Sequence, residues 1–199
     1  MGARRRPHEA RHTRRVLDEA PLRELETGLA PAGKGWFVLN ARDAPWWKRG
    51  GRGWLCEFED PEGDASDFSQ LGINITVLAP GEPMAMYHWE ADQEDFLVVA
   101  GEALLLIEGE ERPLRQWDLV HCPPGAEHAI VGAGTTSCVV VAVGARDRST
   151  GPDWGAYTVD EAALAHGAGV ERPTTVADEA YARFASGELT PYREGLLPD

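Results

Sequence analysis

The chain is poor in cysteine and has no long apolar run. Its three cysteines, Cys56, Cys122 and Cys138, are odd in number and fall at unrelated spacings, without the paired pattern of a zinc finger or a disulfide framework. A reducing, cytoplasmic setting is the expectation. The longest uninterrupted apolar stretch, residues 138–143, has the length of a strand and falls far short of the ~20 residues of a membrane-spanning helix. Positive charge is also scarce. Nineteen Lys and Arg stand against 33 Asp and Glu, a net charge of -14, which repels phosphate backbones and anionic membranes alike. Neither a nucleic acid nor a membrane is an expected partner.

What positive charge there is gathers at the start. Residues 1–15 carry six Arg and one Glu, a local +5, so with the chain total at -14 the other 184 residues carry -19. Without an apolar core region and a small-residue cleavage site this stretch does not read as a secretory leader. With no helix-turn-helix pattern behind it, it reads as a mobile basic arm. The apolar share, 43% of 199 residues, suffices for one core with extensions.

Four regions follow from the pattern: the arm, 1–15; an N-terminal extension, 16–69, packed on a barrel; the barrel, 70–145; and a helical C-terminal extension, 146–199. In the second, Val16, Leu17, Leu22, Leu25 and Leu29 recur at helical spacing and predict a short helix. Residues 36–39 and 54–58 predict strands, punctuated by Gly50-Gly51. Trp36, Trp46, Trp47 and Trp54 concentrate here, more apolar surface than a monomer comfortably exposes, which predicts a homodimer with contacts from this segment. In the third region Leu71, Ile73, Ile75 and Val77 alternate with other residues at period two, and residues 96–100, 103–107, 119–122 and 137–143 follow between turn signals. Many short antiparallel strands imply a sandwich or barrel. After Gly144, Thr158 with Glu161 and Thr175 with Asp178 read as capping boxes opening two short helices.

Two segments carry chemistry. In the first, Gly81, His88, Glu90, Glu94 and Gly101 follow one another. On a strand His88 and Glu90 share a face while Trp89 points away, and a turn at 91–93 brings Glu94 back beside them. In the second, the turn Pro123-Pro124-Gly125 presents His128 at the start of the next strand.

Together these segments resemble the two motifs of the cupin superfamily. The first motif reads Gly, His-x-His, Glu, Gly, and Gly81, His88, Glu94 and Gly101 match it with Glu90 at the second His position. Of the second, Pro123, Gly125 and His128 match, while Trp117 stands where a Gly is usual. The intermotif segment 102–117 is short, as in the small single-domain cupins of the conserved-barrel type. The resemblance covers about residues 70–145 and speaks to fold more than function, because this barrel hosts unrelated chemistries.

The resemblance implies an all-β core, a double-stranded β-helix or jelly-roll barrel, with a metal in its mouth. The ligands carried over are His88, Glu94 and His128, plus Glu90 at the departing position. If Glu90 ligates, two imidazoles and two carboxylates make an oxygen-rich dianionic set that favours Fe(II) or Mn(II), with Ni(II) and Zn(II) as alternatives. If it does not, His88, Glu94 and His128 form a two-His-one-carboxylate set and Glu90 is a nearby base. The competing structural reading has both histidines merely hydrogen-bonded inside the barrel. Against it, converging carboxylates are costly unless a cation or proton neutralises one.

The function so implied is a metal-binding cupin that binds or acts on a small polar molecule, by Fe(II)- or Mn(II)-dependent oxidation, such as a dioxygenase reaction, or by isomerisation. The alternative class is a non-catalytic small-ligand-binding or sensor cupin. Other residues carry blander expectations. His121 is exposed or at the mouth, Cys122 is a small buried hydrophobe, Arg112 and Arg115 sit on a solvated hairpin, and Tyr87 and Trp89 face away from the site.

Overall fold

The computed structural model describes residues 17–63, 68–147, 151 and 153–198; the arginine-rich stretch 1–15 and Val16 lie outside them. Short β-branched and leucine runs between glycine turns become strands. In chain order these are β1 (Leu22–Leu25), β2 (Gly28–Pro31), β3 (Trp46–Lys48), β4 (Trp54–Cys56), β5 (Leu71–Leu78), β6 (His88–Glu90), β7 (Glu94–Ala100), β8 (Glu102–Ile107), β9 (Glu110–Arg115), β10 (Leu119–Cys122), β11 (His128–Ala133), β12 (Cys138–Ala145), β13 (Gly155–Tyr157) and β14 (Glu188–Thr190). Helix is confined to α1 (Glu161–Ala165) and α2 (Ala177–Ala180). None of the described helices is long and apolar enough to cross a membrane.

Two antiparallel sheets form the jelly roll. One has the order β10-β7-β12-β5-β4-β3-β14 and the other β13-β6-β11-β8-β9. Their inner faces close on a single cluster in which Leu78, Phe96, Val98 and Val140 from the first meet Ala103, Leu105 and Ile130 from the second. Each fully buried side chain of this kind contributes about 1.5–3 kcal/mol. The alternation in β5 and β7 thus places one face in the core, and everything that reaches the barrel mouth is held on this frame.

Flanking segments depart from the sequence expectation in specific ways. The helix expected from residue 16 to 29 is a two-stranded hairpin, β1 with β2, in register Leu22 to Pro31 through Leu25 to Gly28. Pro21 denies the segment a helical amide, and a spacing of three or four leucines is as compatible with a hairpin as with one helical face. Residues 36–39 form no strand: Trp36 makes only an isolated parallel bridge to Glu19. Instead Trp46 and Trp47 open β3, which pairs with β4 and β14 and so extends the first sheet. Trp46 is fully buried, donates from its indole nitrogen to Ala41 O at 2.8 Å and lies 5.9 Å from the Tyr192 ring. Trp54 packs on the same cluster. The apolar surface that argued for a homodimer is thus largely covered within the chain, with Trp36 still exposed.

Strand β9 has no apolar alternation; it lies at the edge of the second sheet, the position that tolerates Pro113. Arg112 and Arg115 on it are exposed. At the C-terminal end, Asp160, two residues beyond the expected Thr158, caps α1 by accepting from Ala163 N at 2.7 Å. Helix α2 has no side-chain cap; Thr174 Oγ1 accepts from Val176 N and donates to Glu179, so Thr175 plays no capping part.

The departure at Trp117 has a conformational cost. Its φ is +76°, the left-handed region that glycine enters freely and a Cβ-bearing residue does not. Its side chain is 68% exposed, so little packing offsets the strain. Trp117→Gly is expected to stabilise the fold by about 0.5–1 kcal/mol, read as a melting temperature raised by ~1–4 °C. A lower melting temperature would show that the indole contributes packing that outweighs the backbone strain.

Candidate metal centre

Register brings the two motif histidines together. Strand β6 pairs with β11 such that His88 and His128 are direct cross-strand partners, their rings 5.0 Å apart. Both are buried. In each ring Nδ1 faces a main-chain carbonyl: His88 Nδ1 lies 2.7 Å from Met86 O and His128 Nδ1 lies 3.1 Å from Ala126 O. A carbonyl only accepts, so both Nδ1 atoms carry protons and donate, which leaves Nε2 as the atom each ring offers to the interior.

Glu94 arrives from the opposite sheet as the first residue of β7. Its Oε2 lies 3.3 Å from His128 Nε2 and 3.7 Å from His88 Nε2. The ligand atoms of His88, Glu94 and His128 all fall within 4.8 Å of one another. Glu94 Oε2 and His128 Nε2 are buried with no hydrogen-bond partner, because their 3.3 Å approach lacks hydrogen-bond alignment. Such a juxtaposition requires positive charge between the atoms. Burial opposes a proton on His128, but the adjoining Cys122 and the Glu94 carboxylate outweigh it and raise the imidazole to about 10. Burial likewise opposes the Glu94 carboxylate, yet His128 and His88 hold it below its ordinary value. Two imidazole nitrogens and a carboxylate oxygen, pre-oriented toward one another, fit a divalent metal that would take the place of the His128 proton.

Glu90 follows His88 on the same face of β6 and places Oε1 3.5 Å from His88 Nε2. It is partly buried at the rim, adjoining the three converging ligand atoms but outside their group. The sequence-derived set is therefore gathered at one end of the barrel, with His88, Glu94 and His128 as its tight core. Of the other candidates, His121 is exposed and bonded to Asp95 at 2.7 Å. Cys122 is buried as expected, against His128 and not among apolar neighbours alone. Tyr87 faces away into a cluster with Leu106, Ala129 and Ala163.

These residues open on a cavity of about 380 Å³. Phe96, Trp154, Tyr157 and Tyr181 line it, and Asn74 and Thr76 add neutral polar groups. His88 packs beside Trp154 and Tyr157, 6.3 and 5.8 Å from their ring centres. Two arginines, Arg49 and Arg52, complete the wall. Sequence reasoning missed the last two and Trp154, Tyr157 and Tyr181, because all come from segments far from the motifs. A larger depression of about 670 Å³ runs along residues 169–183, but its charged side chains, Glu171, Arg172, Glu179 and Arg183, are exposed and it lies apart from the converging ligand atoms.

Residues 74–144 match the family model described as the cupin domain. No curated protein matches the chain. Among solved structures, the chain is similar to a putative sugar phosphate isomerase from Acidithiobacillus ferrooxidans, with 28% identity, a TM-score of 0.41, and coverage of 48% of this chain and 61% of that one. It is also similar to a Cupin 2 conserved barrel domain protein from Salinispora arenicola, with 24% identity, a TM-score of 0.39, and coverage of 47% and 75%. A third is the polyketide cyclase RemF from Streptomyces resistomycificus, with 14% identity, a TM-score of 0.44, and coverage of 54% and 78%. The chain thus spans under two thirds of the first of these. The match to the cupin domain thus falls on the central barrel, residues 74–144 of the two facing sheets, where both motifs are recognisable with Glu90 and Trp117 as their departures.

Proposed function

We propose that this protein is a metal-dependent cupin that binds a small polar molecule beside His88, Glu94 and His128 and acts on it by oxidation or isomerisation. Fe(II) or Mn(II) is the favoured ion, with Ni(II) and Zn(II) as alternatives. The observation that carries the reading is the convergence of His88 Nε2, His128 Nε2 and Glu94 Oε2, the last two without hydrogen-bond partners, at the wall of a cavity sized for a small molecule. A bound divalent ion supplies Lewis-acid polarisation and a template for the ligand, and electron transfer where it is redox-active.

The chain's own residues divide the remaining work. The main-chain carbonyls of Met86 and Ala126 fix the imidazole tautomers. The aromatic wall limits water. Burial, with Tyr181 beside it, pushes the Tyr157 phenol far above its ordinary value, so it stays protonated and serves as a donor, not a base. Glu90 is the carboxylate placed to take a proton from a bound molecule if it is not itself a ligand.

Elemental analysis of protein purified without chelators, then anaerobic reconstitution with Fe(II), Mn(II), Ni(II) and Zn(II) and a substrate screen, tests this. One ion per chain and metal-dependent turnover are expected. Failure of every ion to bind overturns the reading; stoichiometric metal with ligand binding but no turnover would favour the non-catalytic binding module. Glu90→Gln refines it. As a ligand, Glu90 should cost on the order of tenfold or more in metal affinity when neutralised. Unchanged affinity with lost turnover would assign it the base role instead.

A further inference from the structure

We propose that Arg49 and Arg52 form a carboxylate-binding subsite in the same cavity, so that the ligand is a small monocarboxylate whose acid group docks on these guanidinium groups while its other end faces His88, Glu94 and His128. This deepens the metal-dependent reading and rests on it for the charge balance below.

Both arginines stand in the turn between β3 and β4, outside the segment matched by the family model. Arg49 N donates to Gly53 O and Arg52 N to Arg49 O, each at 2.9 Å, so the main chain holds the turn in one shape. Arg49 buries Nε and Nη2 without a partner, and its Nη1 reaches only Met84 O at a long 3.4 Å. Arg52 also buries Nε without a partner. Its guanidinium carbon lies 4.1 Å from the Tyr181 ring centre and 5.5 Å from that of Phe184. Stacking occupies the face of the guanidinium and leaves its edge for in-plane hydrogen bonds.

Buried guanidinium N–H groups without acceptors are expensive, and two like charges side by side more so. Burial and the neighbouring Arg52 lower Arg49 to about 10, which still leaves it cationic at neutral pH. Among the described residues no carboxylate forms an ion pair with either arginine, although Glu57, Glu90 and Glu94 line the same cavity. Planar N–H edges without partners are the donors that a carboxylate engages in pairs.

Charge selects the class of anion. With a divalent cation held by neutral imidazoles, three carboxylates against two guanidinium groups leave the cavity with one net positive charge. A single carboxylate neutralises it, whereas a phosphate dianion overshoots. The aromatic wall of Phe96, Trp154 and Tyr157 suits an apolar or ring-bearing body between the two ends.

The test is calorimetric titration of the full chain loaded with Zn(II), using benzoate, its neutral isostere benzamide, and inorganic phosphate as probes. Benzoate is expected to bind at least tenfold more tightly than benzamide, and more tightly than phosphate. Arg49→Gln and Arg52→Gln should each weaken benzoate at least tenfold while Zn(II) affinity is unchanged. Circular dichroism checks both variants; if Arg49→Gln misfolds, Arg52→Gln and the benzoate to benzamide ratio on the parent still decide. Equal binding of benzoate and benzamide, undiminished benzoate binding in the variants, or preference for phosphate overturns the proposal. If Zn(II) fails to bind while benzoate still depends on the arginines, the metal reading falls and the carboxylate subsite stands. If Zn(II) binds and benzoate does not, the reverse holds.

Discussion

Glu94→Gln and His128→Ala are expected to lower divalent-metal affinity by more than ~100-fold each, since replacing groups that only support ligands already costs ten- to a hundredfold. The two atoms concerned are the buried, unbonded Glu94 Oε2 and His128 Nε2, which approach from opposite sheets with His88 Nε2 3.7 Å from the carboxylate oxygen. Neither substitution should unfold the barrel. Glu94→Gln removes a charge without changing shape, and His128→Ala leaves the β6–β11 pairing intact. The pH dependence has a definite sign. In the metal-free protein the Glu94 carboxylate and Cys122, against the opposing effect of burial, raise His128 to about 10. This proton stabilises the folded apoprotein fully below the ordinary histidine value and ceases to do so as pH climbs through about 10. Metal must displace it. Affinity should therefore rise with pH across the neutral range, by about tenfold per unit if one proton leaves per ion. Titrations in buffers of different ionisation heat measure that release. A metal affinity flat between pH 6 and pH 8 would mean that His128 is already neutral, and equal affinity in Glu94→Gln would remove Glu94 from the site.

The barrel and the convergence of His88, Glu94 and His128 were legible because both rest on local regularities. Period-two alternation in 71–78 marks a strand whatever surrounds it, and the intervals His88 to Glu94 and Pro123 to His128 are short enough for strand and turn geometry to fix the outcome. The cross-strand pairing of His88 with His128 is not local, but the motif resemblance carried it. Where tertiary contacts decide, the sequence was silent or misleading. Val16 to Leu29 satisfied a helical period with five residues, yet Pro21 and the pairing of Leu25 with Gly28 made a hairpin. Trp46 and Trp47 became a strand because the edge of β4 was there to receive them. Nothing in the continuous apolar run 36–39 announced that it would stay unpaired beyond one bridge. Arg49 and Arg52 flank the Gly50-Gly51 turn signal, and nothing in the local sequence marks them out. Their burial depends on Met84, Tyr181 and Phe184, which lie 35 or more positions away in the chain.

Gly53→Ala is expected to be the most destabilising single-methyl change at the cavity. Gly53 ends the arginine turn at φ +67°, and a Cβ there would lie 2.0 Å from Val77 O and 3.0 Å from a Leu78 methyl. The clash is with main chain inside a ladder, since Trp54 pairs with Val77 in the β4–β5 register. Yielding therefore means separating two strands. Left-handed strain in a Cβ-bearing residue costs about 1–3 kcal/mol, and the displaced strand adds to it, for a total of roughly 3 kcal/mol or more. At this chain length that lowers the melting temperature by roughly 6–12 °C. Gly109→Ala is the control: its φ is +75° but no atom lies within 4 Å of the added Cβ, so only the strain remains. The same displacement moves Arg49 and Arg52 while leaving β6, β7 and β11 where they are. Zn(II) affinity should therefore survive in Gly53→Ala, and benzoate affinity should fall. A melting temperature equal to that of the Gly109 control would show that β4 yields without cost. In that case the turn is not the rigid mount on which the two arginines are held.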